Sequence, residues 1–98
     1  MNETIVELIS RRRRQILVHS YIYYEANTNI IDDATYDSWS AELAELQREH
    51  PTESAAAVYY DAFRGYDGSS GFDLPYRSPE IVNTAERLLT QKRKRGTK

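Results

Sequence analysis

The stretch YIYYEANTNIIDDATYD, residues 21–37, packs four tyrosines and three aspartates close together. Tyrosine rings offer flat faces on which another ring can stack, and a cationic ring gains most from such faces. Asp33, Tyr36 and Asp37 are spaced i, i+3, i+4, which puts all three on one face of a helix. The two carboxylates favour positive charge or accept hydrogen bonds from hydroxyls and amides. The first turn of a helix also carries unpaired backbone N–H groups that can receive a phosphate. A ligand with a cationic aromatic ring, a ribose and a phosphate would use all of these features. A plainer reading uses the same residues. Aspartates at a helix start cap it and balance its dipole, and tyrosines at a hairpin end close a core with their hydroxyls in water. Spacing alone leaves both readings open.

Two helices must position this cluster. The first is expected over about residues 3–26, with the apolar stripe Ile5, Leu8, Ile9, Ile16 and Tyr23. The second is expected over about residues 33–50, with Tyr36, Trp39, Leu43 and Leu46 at i, i+3, i+7 and i+10. The short segment NTNIID joins them, and so short a connection favours antiparallel neighbours. Tyr23 and Tyr24 should then meet Asp33, Tyr36 and Asp37 at one end of the hairpin. Nicotinamide mononucleotide is a molecule with the ring, sugar and phosphate such a site would suit.

The remaining segments extend the hairpin. Pro51 ends the second helix, because the residue before a proline is pushed out of the helical region. A short third helix is expected over about residues 53–63, capped by Thr52, with Tyr60 and Phe63 as core anchors. Gly65, Gly68 and Gly71 then punctuate a loop. Ser78-Pro79-Glu80 is a strong helix start, and a last helix is expected over about residues 79–94, carrying Ile81, Val82, Ala85, Leu88 and Leu89. No segment sustains period-two alternation, so the expected class is all-α. The expected organisation is one domain of 98 residues: the hairpin over residues 1–51, added helices and a glycine-rich loop over 52–91, and a basic tail over 92–98.

Charge and composition narrow the function classes. Five of the 13 basic residues lie in the tail KRKRGTK, leaving 8 against all 15 acidic ones in residues 1–91. An acidic body with a short basic tail is not the footprint of a dedicated duplex-DNA binder, though the tail could touch phosphate weakly. Arg11 to Arg14 wrap most of a helix circumference, so a solvated girdle is expected there, with Arg12 on the apolar stripe snorkelling or pairing with a carboxylate. The absence of cysteine excludes disulfides and thiolate metal sites, and the two histidines have no zinc spacing. No apolar run approaches the roughly 20 residues of a membrane span. The N-terminus MNETIVELIS lacks the layout of a signal peptide, so a cytoplasmic location is expected.

Several motifs follow one another in a familiar order: Tyr23-Tyr24, then Ile31-Asp32-Asp33-Ala34-Thr35-Tyr36-Asp37, then Leu43 to Leu46 on an amphipathic helix, then His50-Pro51. From about Leu8 to Pro51 the chain resembles domain Ia, the small N-terminal helical domain of bacterial NAD-dependent DNA ligases. The resemblance implies a helical hairpin that binds the nicotinamide mononucleotide half of NAD. It implies that Tyr23 and Tyr36 stack on the nicotinamide, and that Tyr24, Asp33 and Asp37 hold its amide, ribose and phosphate. Three positions depart from the family pattern. Asp32 replaces a small residue and adds negative charge near the phosphate's place, Thr35 replaces a glutamate, and Asn29 stands where proline is common.

The ligases continue into a nucleotidyltransferase domain with a Lys-x-Asp-Gly nucleophile. Here Gly65-Tyr66-Asp67-Gly68 has glycine at that lysine's position, and the three lysines, Lys92, Lys94 and Lys98, all lie in the tail. Covalent nucleotidyl transfer needs an amine, so no ligation is expected. Asp33 and Asp37 as an acid–base pair are disfavoured, because a helix start stabilises both charges. The leading expectation is a non-catalytic module that binds nicotinamide mononucleotide or NAD. The alternative is an interaction or regulatory protein that keeps the hairpin as a scaffold and modulates a host enzyme such as DNA ligase. Its contact surface would then lie in residues 59–77, between Tyr59 and Arg77, where Tyr66, Phe72 and Tyr76 add aromatic surface. A free-standing ligase subdomain also suggests a phage or mobile-element source.

Overall fold

The structure, a computed structural model, describes residues 3–68 and 74–96, with side chains as far as Lys92. Helix α1 spans Ile5–Tyr24. Thr4 caps it in a reciprocal box. Its hydroxyl accepts from the Glu7 N–H at 3.1 Å, and the Glu7 carboxylate accepts from the Thr4 N–H at 2.8 Å. The chain then turns through Asn27, whose φ of 57° is left-handed. Asparagine tolerates that conformation better than most residues. Helix α2 spans Asp33–Glu49. Helix α3, Pro51–Ala56, follows at once, and α4, Tyr60–Phe63, is a single turn. Helix α5 spans Pro79–Gly96, starting where Ser78-Pro79-Glu80 placed it. Among the described residues all regular structure is helical, as expected.

Helix α1 is the central element, packed by α2, α3 and α5. The cross-helix pairs Ser20–Tyr36, Arg12–Glu42 and Arg13–Gln47 run in opposite senses, so α1 and α2 are antiparallel. The pairs Arg14–Glu80 and Tyr21–Glu86 run in the same sense, so α5 lies parallel to α1. Ile9, Ile16, Leu17 and Ile22 of α1 form the core with Leu43, Phe63, Ile81, Ala85 and Leu89. Hydrophobic burial of this set is the main favourable term for so small a fold.

Three local expectations are corrected. Tyr23 is not on the core stripe but is 55% exposed. Ser20 already faces Tyr36 in the opening turns of α2, so one turn later Tyr23 lies beyond its partner helix. The arginine run is not a uniformly solvated girdle. Arg11 pairs with Glu3 and Arg14 with Glu80 at the surface, and Arg12 pairs with Glu42 while lying 5.2 Å from the Trp39 ring centre. Arg13, however, is fully buried. Its guanidinium donates to Gln47 Oε1 at 2.8 Å, to Ser54 Oγ at 2.6 Å, and to the carbonyls of Ser54, Ala57 and Val58 at 2.9–3.3 Å.

That contact explains the third correction. The helix expected over residues 53–63 is two, divided by Tyr59 at a left-handed φ of 62°. Arg13 takes carbonyls that a continuous helix would have used, and α3 stops at Ala56. The start also moves: Pro51 occupies the first turn and Thr52 makes no cap. Phe63 is buried as expected, whereas Tyr60 is 36% exposed. In the following loop Gly68 has a φ of 85°, and a Cβ there would lie 3.1 Å from the Ser40 carbonyl oxygen. Only glycine fits both demands. Gly71 and Phe72 lie outside the described residues. Tyr76 is buried, and Tyr59 and Tyr66 are half-buried, so these three aromatics mainly patch the core.

Candidate functional site

The last turns of α1, the α1–α2 loop and the first turns of α2 enclose a cleft of about 290 Å³. From α1 come His19, Ser20, Tyr23 and Tyr24. The loop adds Asn29, Ile30 and Ile31, and α2 adds Asp33, Tyr36 and Asp37. All five residues singled out from the sequence, Tyr23, Tyr24, Asp33, Tyr36 and Asp37, therefore line one concavity. The volume is at the small end of ligand sites.

Each side chain is set by its element. Asp33, Tyr36 and Asp37 share a face because α2 starts at Asp33, and it starts there because Asp32 caps it. The Asp32 carboxylate accepts from the Thr35 N–H at 2.8 Å. Hydrogen bonding to Thr35 holds that carboxylate below its ordinary range. The extra aspartate is thus committed to its own helix and does not line the cleft. Tyr36 is half-buried, its hydroxyl 2.9 Å from Ser20 Oγ. Burial pushes its phenol up to about 12, so it stays neutral.

The two neighbouring tyrosines are more open. The rings of Tyr23 and Tyr24 meet edge to face, 4.9 Å apart at 82°. Tyr24 also stacks on Tyr76 at 5.8 Å and 17°. One ring is therefore backed by the core, while Tyr23 projects into solvent. Behind them His19 packs against Trp39 at 5.6 Å. Burial lowers the His19 pKa, so the imidazole is neutral at neutral pH, and its buried Nδ1 has no hydrogen-bond partner among the described residues. The cleft thus combines aromatic faces, two exposed carboxylates, neutral donors and acceptors, and a helix start. Among the described residues no arginine or lysine lines it. Its charge suits a cationic ring.

His19, Ser20 and Ile30 were not singled out from the sequence, and Asn29 and Ile31 were named there only as motif positions, not as site residues. The signal for the first two was present, since His19 and Ser20 stand four residues before Tyr23 and Tyr24 on the same helix faces. The loop residues carry no such signal. Among the described residues no group of three histidine or acidic side chains could hold a metal ion, and no helix is long and apolar enough to cross a membrane.

A family model described as DNA ligase-like, N-terminal NAD+-binding domain matches residues 2–57. The DNA ligase of Thermotoga neapolitana is 38% identical over 95 residues, which cover 86% of this chain and 14% of that ligase. The DNA ligase of Endomicrobium trichonymphae is 28% identical over 82 residues, covering 82% of this chain and 12% of that protein. The DNA ligase of Thermotoga maritima is 38% identical over 47 residues, covering 48% of this chain and 7% of that protein. The chain therefore spans a small fraction of its relatives' length. Similarity to the first two reaches past Pro51, further than the motifs alone had indicated. No solved structure gives a significant match.

Proposed function

The chain belongs to the family of DNA ligase-like, N-terminal NAD+-binding domains, and from that premise we propose that it is a non-catalytic module binding nicotinamide mononucleotide, free or as half of NAD. The observation that carries this reading is the convergence of Tyr23, Tyr24, Asp33, Tyr36 and Asp37 on one cleft. In the proposed complex Tyr23 and Tyr36 stack on the nicotinamide ring, whose positive charge their faces and the two carboxylates favour. Tyr24, Asp33 and Asp37 hold the amide, ribose and phosphate directly or through water. The Ser20–Tyr36 hydrogen bond would keep the Tyr36 ring in place before ligand arrives, which limits the ordering cost of binding.

The module itself performs no nucleotidyl transfer in this reading. That step needs a nucleophilic amine at the α-phosphate, and among the described residues no lysine lines the cleft. Holding the mononucleotide would serve sensing or sequestration, or supply one half of a reaction completed elsewhere.

A melting experiment tests the reading. Ligand at about 100 times its dissociation constant should stabilise the fold by about 2.7 kcal/mol. The melting temperature should rise with added nicotinamide mononucleotide or NAD. A folded sample whose melting temperature stays fixed at millimolar concentrations of both contradicts the proposal.

A further inference from the structure

The rim of the cleft is tied to a helix outside the residues matched by the family model. Lys92, near the end of α5, donates from Nζ to the Asn29 carbonyl at 2.6 Å and to Thr28 Oγ1 at 3.3 Å. Asn29 lines the cleft. Because α5 runs parallel to α1, its C-terminal turns reach the same end of the bundle as the site. Two further contacts fasten that end: Tyr21 donates to Glu86 at 3.1 Å, and Arg77 pairs with Glu25, the residue that closes α1. These bind α1 itself. The loop between α1 and α2 is a different case. It contains no helix and holds left-handed Asn27, and among the described residues Lys92 is the α5 side chain bonded to it.

We propose that Lys92 is a positioning residue, a latch that pins the Thr28–Asn29 segment against α5 and so fixes the rim of the cleft. The contact is built for that task. A lysine ammonium carries three donors on a flexible stem, and here two of them converge on one backbone carbonyl and an adjacent hydroxyl. The backbone bond acts on the loop's path rather than on a side chain. The consequence for a ligand rests on the function proposed above: a fixed rim offers Asn29, Ile30 and Ile31 in one arrangement, and a released rim must be ordered on binding.

The test compares wild type, Lys92→Met and Lys92→Arg by amide hydrogen exchange without ligand, followed by titration with nicotinamide mononucleotide. Met keeps the stem and removes the donors, while Arg restores them. Exchange in residues 27–32 should rise roughly two- to tenfold in Lys92→Met, the range a net hydrogen bond carries. It should return toward wild type in Lys92→Arg, with the buried amides of α1 unchanged in both. Mononucleotide affinity should fall by a similar factor in Lys92→Met and recover in Lys92→Arg. Equal loop exchange in all three proteins overturns the latch. So does a rise spread evenly over the whole chain, which would mark Lys92 as a general stabiliser. A loop that responds as expected in a protein that binds no nucleotide keeps the latch and removes the proposed function.

Discussion

Tyr36 belongs to both the core and the cleft, and its environment has a measurable signature. Burial raises its phenol from the ordinary 10 to about 12, and the nearby hydroxyl of Ser20 only partly offsets this. The folded state therefore keeps a proton that the unfolded chain has lost between those two values. Stability should be intact below pH 10 and fall as pH rises toward about 12. Tyr66 and Tyr59 are raised first by burial as well, so they act in the same direction. For Tyr36 alone the loss should reach up to about 2 kcal/mol, allowing for its partial exposure. Denaturant titrations across that window should show it, and Tyr36→Phe should shallow the slope. An equal slope in the variant would mean that Tyr36 is not buried as described.

Arg13 acts at the scale of elements, because it joins three of them. From α1 it reaches Gln47 of α2 and carbonyls in and just past α3, and its guanidinium lies 5.7 Å from the Phe63 ring centre. Among the described residues its hydrogen-bond partners include no carboxylate. The charge is met by the carbonyls of Ser54, Ala57 and Val58, at and just past the end of α3. Removing it would leave several buried acceptors unsatisfied, each at about 1–3 kcal/mol. Arg13→Met should cost about 3 kcal/mol or more by denaturant unfolding. Arg13→Lys should recover little, since a lysine cannot span the same fork of acceptors. A loss below about 1 kcal/mol in Arg13→Met would contradict the staple.

The same residue marks where the sequence stops being legible. The hairpin could be read directly, because the stripe Tyr36, Trp39, Leu43, Leu46 has helical period and Pro51 is strong punctuation. The five candidate site residues could be read because i, i+3, i+4 spacing and a short connection bring them together. Arg13 could not. Four adjacent arginines look alike in sequence, and only the tertiary position of α3 selects the one that turns inward. The division of α3 from α4 depends on that choice and was hidden with it. Tyr23 was misjudged for a related reason: periodicity gives a face but not the level at which the partner helix begins.

The whole molecule arranges a three-helix frame so that one end is open. Antiparallel α2 brings its first turn to the last turn of α1, and parallel α5 brings its final turns to the same end. The rest of the bundle is closed by Ile9, Ile16, Leu43, Phe63 and Ile81, leaving the aromatic and acidic residues around the cleft at the hairpin tip. The central claim is that this tip holds a nicotinamide mononucleotide. The most direct measurement is a titration of that nucleotide followed by backbone and aromatic chemical shifts, in wild type and in Tyr23→Ala, a variant whose 55% exposed side chain can be removed without opening the core. Saturable shifts at Tyr23, Tyr24, Asp33, Tyr36 and Asp37 in wild type, weakened at least severalfold in Tyr23→Ala, are the predicted result. A folded wild-type protein whose cleft signals do not move at millimolar nucleotide would contradict the account.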